Sequence, residues 1–282
     1  MICKKLIYYF YLTEDFEENR GNKINFACLS RYAHIFDSVD IYISTDDTSR
    51  YDLIRRAEAK FVSLPFKGDL SFRIVKNGPY MESAVIKSEI LDKLGSLDSL
   101  VFFAHAKGYS SLEKYQGNID DIERWITGCY YLSLEYINEM EETIGDTSKY
   151  LSMAFGSFPI VSPKKIEDND EGMGTWNYRF PGRIKYNWFY SGTFFWINTN
   201  KLYNYINIYS PAIPKVEDRY FGERMLGNIF PYDRNATGHN SRFLYPCNFY
   251  NEGVATSNIE FILEEGELEH FNKFHNEIIS NI

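Results

Sequence analysis

Short apolar runs alternate with amphipathic segments along the first hundred residues of the chain. The runs are bounded by polar turns, as buried strands are, and the segments between them carry apolar residues at helical spacing. The predicted strands are residues 5–12, 39–44, 60–64 and 99–104, and the predicted helices are residues 22–36, 51–59 and 80–94. Strands that alternate with helices in this way indicate an α/β fold in which helices flank a mainly parallel sheet.

The second half of the chain has a looser pattern. Its predicted elements are a long amphipathic helix over 120–143, strands over 151–161 and 190–198, and a terminal helix over 260–282. The segment 162–184 is rich in Gly, Pro, Asn and Asp, and it exceeds the about 12 to 15 residues beyond which a loop is usually functional or mobile. We expect one domain over residues 1–282, with a nucleotide-binding half at 1–110 and an acceptor and catalytic half at 111–282.

Composition narrows the class of function. A hydrophobic content of 44% is ample for a core, and a net charge of −9 argues against broad binding to nucleic acid or to an anionic membrane. The 4 cysteines are scattered, which disfavours both a zinc knuckle and a dense disulfide framework. No run approaches the roughly 18 apolar residues of a membrane span. We therefore expect a cytoplasmic protein with no integral membrane span and no nucleic-acid partner.

The strand over 99–104 ends abruptly in polar residues, with His105, Lys107 and Gly108 following it. In an open α/β sheet the carboxyl end of a buried strand is where ligands bind. A lysine at that edge favours an anionic ligand such as a phosphate group. The alternative is that Lys107 and Gly108 form a solvated turn with no ligand.

A second polar cluster follows the strand over 39–44. Asp46 and Asp47 come directly after it, and carboxylates at the end of an early parallel strand can accept hydrogen bonds from a ribose or a base. The alternative is that Asp47, Thr48 or Ser49 caps the next helix. About thirty residues later, Asn77 begins an Asn-Gly turn that precedes the helix over 80–94.

Four short motifs occur in an order that resembles one family. They are His105-Ala-Lys-Gly108, Arg124-Trp125, Ser191-Gly-Thr-Phe-Phe-Trp196 and Arg219-Tyr-Phe-Gly-Glu223. In this order the chain resembles the GT-A-type glycosyltransferases, and in particular a divergent group from polysaccharide and glycan synthesis loci. That group has His-x-Lys-Gly where other GT-A enzymes have the metal-binding Asp-x-Asp.

The resemblance implies a GT-A-like fold and transfer of a sugar from a nucleotide-sugar donor to a glycan or lipid-linked acceptor. It implies that Lys107 neutralises the leaving diphosphate, which makes no metal necessary, while Mg²⁺ or Mn²⁺ is allowed. The chain departs from the group at the Thr and Phe inside the Gly-x-Phe-Trp-Trp element and in the irregular segment 162–184. The identity of the acceptor therefore does not carry over.

The resemblance also assigns roles to residues of this chain. The expected donor-binding residues are Asp46, Asp47, Asn77, His105, Lys107, Gly108, Ser191 and Gly192. The expected sugar and acceptor pocket contains Trp125, Trp188 and Tyr190. The expected base that deprotonates the acceptor hydroxyl is Glu223, with Asp218 as the alternative. Packing in the core for the aromatic residues, and helix capping for Asp218, are the alternatives to these roles.

Two rival functions stay open. The first is a non-catalytic glycan-binding or scaffold protein that keeps the fold and an aromatic cleft. The second is a nucleotidyltransferase, which calls for a Gly-rich anion loop near the first strand, and no such loop follows Arg20-Gly21. In addition, His239 lies in a segment that either closes over a diphosphate or forms a simple turn.

Overall fold

The computed structural model describes residues 2–78, 80–106, 119–146, 152–161, 188–190, 193–211, 213, 221–230, 236–239, 259–260 and 262–282. The loop predicted at 162–184 lies outside these residues. The strands are β1 (Cys3–Tyr11), β2 (Ser38–Thr45), β3 (Asp69–Lys76), β4 (Ser99–His105), β5 (Ala154–Gly156), β6 (Pro159–Val161), β7 (Trp188–Tyr190), β8 (Phe195–Asn198) and β9 (Ala236–Thr237). The helices are α1 (Arg20–Tyr32), α2 (Tyr51–Val62), α3 (Met81–Ile86), α4 (Ile119–Leu134), α5 (Ile137–Met140), α6 (Thr199–Tyr209), α7 (Phe221–Ile229) and α8 (Glu265–Ser280).

Seven of the strands form one mixed sheet in the order β3-β2-β1-β4-β8-β5-β9. The first four are parallel to one another, and β8 runs antiparallel between β4 and β5. Strands β6 and β7 form a separate antiparallel pair. The predicted fold class, an α/β fold with a mixed and mainly parallel sheet flanked by helices, is confirmed by this arrangement.

The central strands are apolar on both faces because helices cover both sides of the sheet. In β1, Leu6, Tyr8 and Phe10 belong to one hydrophobic core, whereas Ile7 and Tyr9 belong to the other. The first core is completed by α1, α2, α4 and α8. The second is completed by α3, α6 and α7. Side chains alternate across a strand with a period of two, so a continuous apolar run is what a doubly covered strand requires.

The prediction of a strand over 60–64 is wrong. Helix α2 continues to Val62, because Ala57 and Phe61 extend the buried stripe begun by Leu53 at helical spacing. The third strand is instead β3, which lies at the edge of the sheet and has no fully buried residue. An edge strand lacks the strong apolar pattern by which the central strands were identified.

The second half of the chain is more broken than its pattern predicts. The single helix expected over 120–143 divides at Tyr136 into α4 and α5, and a π-helical turn, Glu141–Gly145, follows. The strand expected over 190–198 divides into β7 and β8, which belong to different sheets. The strand expected over 151–161 likewise becomes β5 and β6. None of the helices in the described part of the chain is both long enough and apolar enough to cross a membrane.

Candidate functional site

The carboxyl ends of the four parallel strands meet at one edge of the sheet. Tyr11 of β1 pairs with Ser44 of β2, and Tyr9 of β1 pairs with His105 of β4. Next along the edge, Thr45 of β2 pairs with Lys76 of β3. The polar segments that follow these strands are therefore brought together, although they are far apart in the sequence.

Asp46 is exposed at this edge, and both oxygens of its carboxylate are held in place. The hydroxyl of Tyr11 donates to Oδ2 at 2.7 Å, and the Nδ2 group of Asn77 donates to Oδ1 at 3.0 Å. The hydrogen bonds from Tyr11 and Asn77 lower the pKa of Asp46 below its ordinary value. The side chain is therefore an oriented carboxylate that stays ionised over the physiological pH range.

Asn77 links Asp46 to the rest of the edge. Its backbone N–H donates to the carbonyl oxygen of Thr45 at 2.8 Å, which continues the pairing of β2 with β3. Its side-chain oxygen lies 3.5 Å from the hydroxyls of both Tyr9 and Ser44. Burial raises the pKa of Tyr9 to about 12, so its hydroxyl keeps its proton at neutral pH.

Asp47 has a different environment from its neighbour. Its Oδ1 atom accepts hydrogen bonds from the backbone N–H and the hydroxyl of Ser49, at 2.9 and 2.7 Å. These bonds lower the pKa of Asp47 and shape the turn that leads into α2. Asp47 does not cap the helix itself, because the N-cap position belongs to Arg50. The local turn explains Asp47 without a ligand, so its role in donor binding stays a prediction.

His105 is the last residue of β4 and is half-buried. Its ring lies 5.8 Å from the ring of Phe194, measured between centroids. Lys107 and Gly108, which the sequence places next along this strand end, lie outside the described residues. The structure therefore supports the position of the His-x-Lys-Gly motif at the sheet edge through His105 alone.

The residues that enter β8 reach the same edge. The backbone N–H of Thr193 contacts the carbonyl oxygen of Tyr190 at 3.4 Å. Phe195 of β8 pairs with Phe103 of β4, and the ring of the preceding residue, Phe194, lies 5.8 Å from the ring of His105. Ser191 and Gly192 lie outside the described residues, so their part in donor binding stays a prediction.

The two candidate bases are only partly described. Glu223 belongs to the first turn of α7, and its backbone is described but its side chain is not. Asp218 lies outside the described residues. Helix α7 packs against β7 and α3, on the face of the sheet where Tyr9 also lies.

Trp188 and Tyr190 are buried in the described structure. Trp188 is 0% exposed, its Nε1 group donates to the carbonyl oxygen of Phe230 at 2.7 Å, and its ring lies 5.3 Å from that of Phe230. Tyr190 is 2% exposed and stacks on Phe195. A ring must offer an open face to stack on a sugar. This burial therefore corrects the expectation of a sugar pocket here and favours core packing.

Arg124 and Trp125 lie on α4. The guanidinium of Arg124 donates to Asn272 at 2.9 Å and lies over the ring of Phe271, so it ties α4 to α8. Trp125 is half-buried and packs against the first core. These contacts account for the Arg-Trp motif through packing, and a role of Trp125 in an acceptor pocket stays a prediction.

His239 lies between two carboxylates of the protein itself. Its Nδ1 and Nε2 atoms lie 2.6 and 2.8 Å from carboxylate oxygens of Glu139 and Glu267, and its ring stacks on Tyr136. Two carboxylates around this imidazole repel a diphosphate. These contacts therefore favour a structural role for His239 over closure of its segment on a phosphate group.

Within the described residues, no group of three or more His, Cys, Asp or Glu side chains could hold a metal ion. The resemblance implies that no metal is necessary, and this stays a prediction.

The sequence did not identify Tyr9, Tyr11 or Ser44 as part of this edge. Tyr9 and Tyr11 were assigned to the strand because aromatic residues are common in strands. Tyr9 and Tyr11 lie two residues apart at the carboxyl end of β1, so their side chains share one face of the strand. This position is the signal that could have identified them. The reach of a tyrosine hydroxyl from a strand end to a neighbouring carboxylate depends on the pairing register.

No protein-family model matches the sequence, and no curated protein matches it. Among solved structures, the chain is similar to a 4-diphosphocytidyl-2C-methyl-D-erythritol synthase, with 10% identity, a TM-score of 0.36, and coverage of 96% of this chain and 97% of that one. It is also similar to mouse xyloside xylosyltransferase 1 in its apo form, with 9% identity, a TM-score of 0.32, and coverage of 79% and 81%. A third is core-mannan synthase A from Aspergillus fumigatus in its Mn/GDP form, with 11% identity, a TM-score of 0.32, and coverage of 93% and 81%. Similarities at these values concern the course of the chain and do not extend to its chemistry.

Proposed function

We propose that this protein is a glycosyltransferase that moves a sugar from a nucleotide-sugar donor to a glycan or lipid-linked acceptor. The observation that carries the proposal is the exposed carboxylate of Asp46, which Tyr11 and Asn77 orient at the carboxyl edge of the parallel strands. That edge is where ligands bind in open α/β sheets. Orienting an ionised side chain before a ligand arrives reduces the entropy lost on binding.

Asp46 would bind the nucleoside part of the donor. Each oxygen of a carboxylate can accept two hydrogen bonds, and Tyr11 and Asn77 use one at each oxygen. The remaining lone pairs are acceptors for ribose hydroxyls or for N–H groups of a base. Asp47 would act as a further contact only if its bonds to Ser49 are exchanged for bonds to the ligand.

His105 and Lys107 would bind the diphosphate. The chain has a net charge of −9, so an anionic donor needs a local cation to offset the surrounding field. A lysine ammonium supplies that charge directly, and the backbone N–H of Gly108 adds a donor for a phosphate oxygen. The half-buried position of His105 at the end of β4 supports this arrangement.

The transfer step would use a carboxylate of the α7 region as general base. Glu223, or Asp218 in its place, takes the proton from the acceptor hydroxyl as the acceptor oxygen forms a bond to the anomeric carbon. The bond between that carbon and the diphosphate oxygen breaks, and the electron pair leaves with the diphosphate. Lys107 stabilises the negative charge that develops on the leaving group.

The rival function, a non-catalytic glycan-binding protein, depended on an aromatic cleft. Trp188 and Tyr190 were its main components, and both are buried. Their burial leaves that alternative without its binding surface in the described part of the chain.

A thermal-shift screen against UDP, GDP, CMP and dTDP sugars tests the proposal. We expect the midpoint of thermal unfolding to rise with at least one nucleotide sugar and to stay unchanged with free monosaccharides. The positive donor is then used in a transfer assay with wild-type protein and with the Lys107→Ala variant. No shift with any donor contradicts the proposed function, whereas a near wild-type rate in Lys107→Ala contradicts only the role of that lysine.

A further inference from the structure

The first turn of α7 is tied to α3 by a buried hydrogen bond. The backbone N–H of Gly222 donates to the hydroxyl oxygen of Ser83 at 3.0 Å. Both residues are buried. The first N–H groups of a helix have no partner within the helix, so an unpaired one at this depth is costly. Ser83 therefore supplies an acceptor from a neighbouring helix rather than from the start of α7 itself.

Gly222 also packs closely against two neighbouring side chains. A Cβ atom at this position would lie 2.7 Å from the Cδ1 atom of Ile86 and 3.3 Å from the Cγ2 atom of Thr193. The first distance is shorter than carbon atoms tolerate without a shift of one of the two groups. The backbone of α7 therefore lies directly against α3 on one side and against Thr193 on the other.

Thr193 is held in an unusual conformation at this junction. Its φ angle is 59°, in the left-handed region that β-branched residues rarely adopt. The side chain is fully buried, and its hydroxyl has no hydrogen-bond partner among the described residues. Strain of this kind persists where the surrounding structure imposes it, and it is concentrated at functional sites. The ring of Phe194, the next residue, lies 5.8 Å from the ring of His105 at the proposed donor site, measured between centroids.

We propose that Ser83, Gly222 and Thr193 form a seat that fixes the backbone of Glu223, and that Ser83 is a positioning residue for the base. Glu223 follows Gly222 directly, so any movement of Gly222 away from its three contacts moves the Cα atom of Glu223 as well. Ser83 acts through α7 and needs no contact with the substrate. The inference rests on the proposed function, with Glu223 rather than Asp218 as the base.

The Ser83→Ala variant tests the seat, with Ser88→Ala as the matched control. Ser88 lies five residues further along the same helical stretch, and its hydroxyl contacts the carbonyl oxygen of Val85 at 3.3 Å. We expect kcat of Ser83→Ala to fall by about tenfold or more, while KM for the donor stays within about twofold of the wild-type value. We expect Ser88→Ala to keep the wild-type kcat. A merely structural role of Ser83 lowers the midpoint of thermal unfolding but leaves kcat unchanged at temperatures well below it.

A second pair of variants tests the seat independently, should Ser83→Ala fail to fold. Gly222→Ala places a methyl group against Ile86, and we expect kcat to fall. Ile86→Val removes the Cδ1 atom that this methyl group would meet. We therefore expect the double variant Ile86→Val/Gly222→Ala to recover a large part of the lost kcat, while Ile86→Val alone stays close to wild type.

The possible outcomes distinguish a failure of the proposed seat from a failure of the proposed function on which it rests. Wild-type protein that transfers sugar from none of the four nucleotide donors contradicts the proposed function, and the role of Ser83 with it. Active wild-type protein with unchanged kcat in both Ser83→Ala and Gly222→Ala contradicts the seat alone. A loss of kcat that is recovered in the double variant supports both.

Discussion

Two regions are candidate sites on sequence grounds: the carboxyl edge of β1 to β4, and the aromatic strands β7 and β8. In the structure the first is exposed and the second is buried. At the edge, Asp46 is exposed and held by two hydrogen bonds. In the strands, Trp188 is 0% exposed and its polar atom is satisfied by a backbone carbonyl. An ionised carboxylate is costly to bury, whereas an aromatic ring gains free energy from burial. Polar residues at strand ends are therefore the more reliable sign of a binding site.

The largest effect is expected where an aromatic ring is removed from the core. We expect Trp188→Ala to lower the free energy of unfolding by about 3 to 5 kcal/mol, because it leaves a cavity and removes the hydrogen bond to Phe230. Urea unfolding measures the change, and Tyr209→Ala, at a ring that is 66% exposed, is the control. If a variant at Trp188 keeps wild-type stability but loses donor binding, Trp188 belongs to the binding site and not to the core.

A change at the edge is expected to affect binding rather than stability. Asp46→Asn keeps the shape of the side chain but removes its charge. We expect it to weaken binding of the nucleotide sugar by about 10- to 100-fold, because a hydrogen bond to a charged group is stronger than one to a neutral group. Isothermal titration calorimetry measures the affinity, with the exposed Asp52→Asn as control. If both variants bind equally well, the edge is not the donor site.

A smaller effect is expected when the partner of Asp46 is changed instead. Tyr11→Phe removes one of the two donors that orient the carboxylate. We expect the pKa of Asp46 to rise towards its ordinary value, and the affinity for the donor to fall by about fivefold, because one of the two orienting hydrogen bonds is lost. The carboxyl titration can be followed by NMR. An unchanged pKa would mean that Tyr11 does not hold Asp46 in solution.

A buried polar residue away from the edge is expected to contribute only a pH dependence of stability. Burial, together with the charge of Arg124, lowers the pKa of His275 below its ordinary value of 6.5, and its Nδ1 atom lies 2.9 Å from the hydroxyl of Thr127. The folded protein therefore prefers the neutral imidazole. The stability from this preference is present in full above about pH 6.5, and it is lost as the pH falls through the lowered pKa.

Comparison of wild type with His275→Gln from pH 8 to pH 5 measures this contribution. We expect the difference in the free energy of unfolding to favour the wild type most at pH 8 and to shrink towards pH 5. Donor affinity is expected to stay unchanged, since His275 lies on α8 and contacts α4. A difference that grows as the pH falls would show that the charged form is the one stabilised.

The parts of the fold that the sequence predicted well are those with strong local patterns. Strands β1, β2 and β4 are continuous apolar runs covered by helices on both faces, and their positions were predicted within two residues at each end. Strand β3 was missed because an edge strand is half-exposed and its pattern is weak. The break at Tyr136 and the division of β7 from β8 depend on contacts with distant residues, which a local pattern does not contain.

At the candidate site, too, local patterns predicted some residues, and contacts with distant residues decided others. Asp46, Asn77 and His105 were predicted because polar residues follow apolar runs at these positions. Their partners Tyr9, Tyr11 and Ser44 are ordinary strand residues by type, and only the pairing of β1 with its neighbours brings them to Asp46 and Asn77. Thr193 was part of a recognised motif, but its left-handed backbone depends on the packing of α7.

The sequence by itself therefore determined the α/β class, the positions of β1, β2 and β4 along the chain, and the polar residues that follow β2 and β4. These follow from which residues can be buried and from the periods of strands and helices. Only the tertiary structure decided which polar ends become neighbours, that the rings of Trp188 and Tyr190 are covered, and that Gly222 lies against Ser83. These depend on register and on the close approach of distant segments, which residue type does not specify.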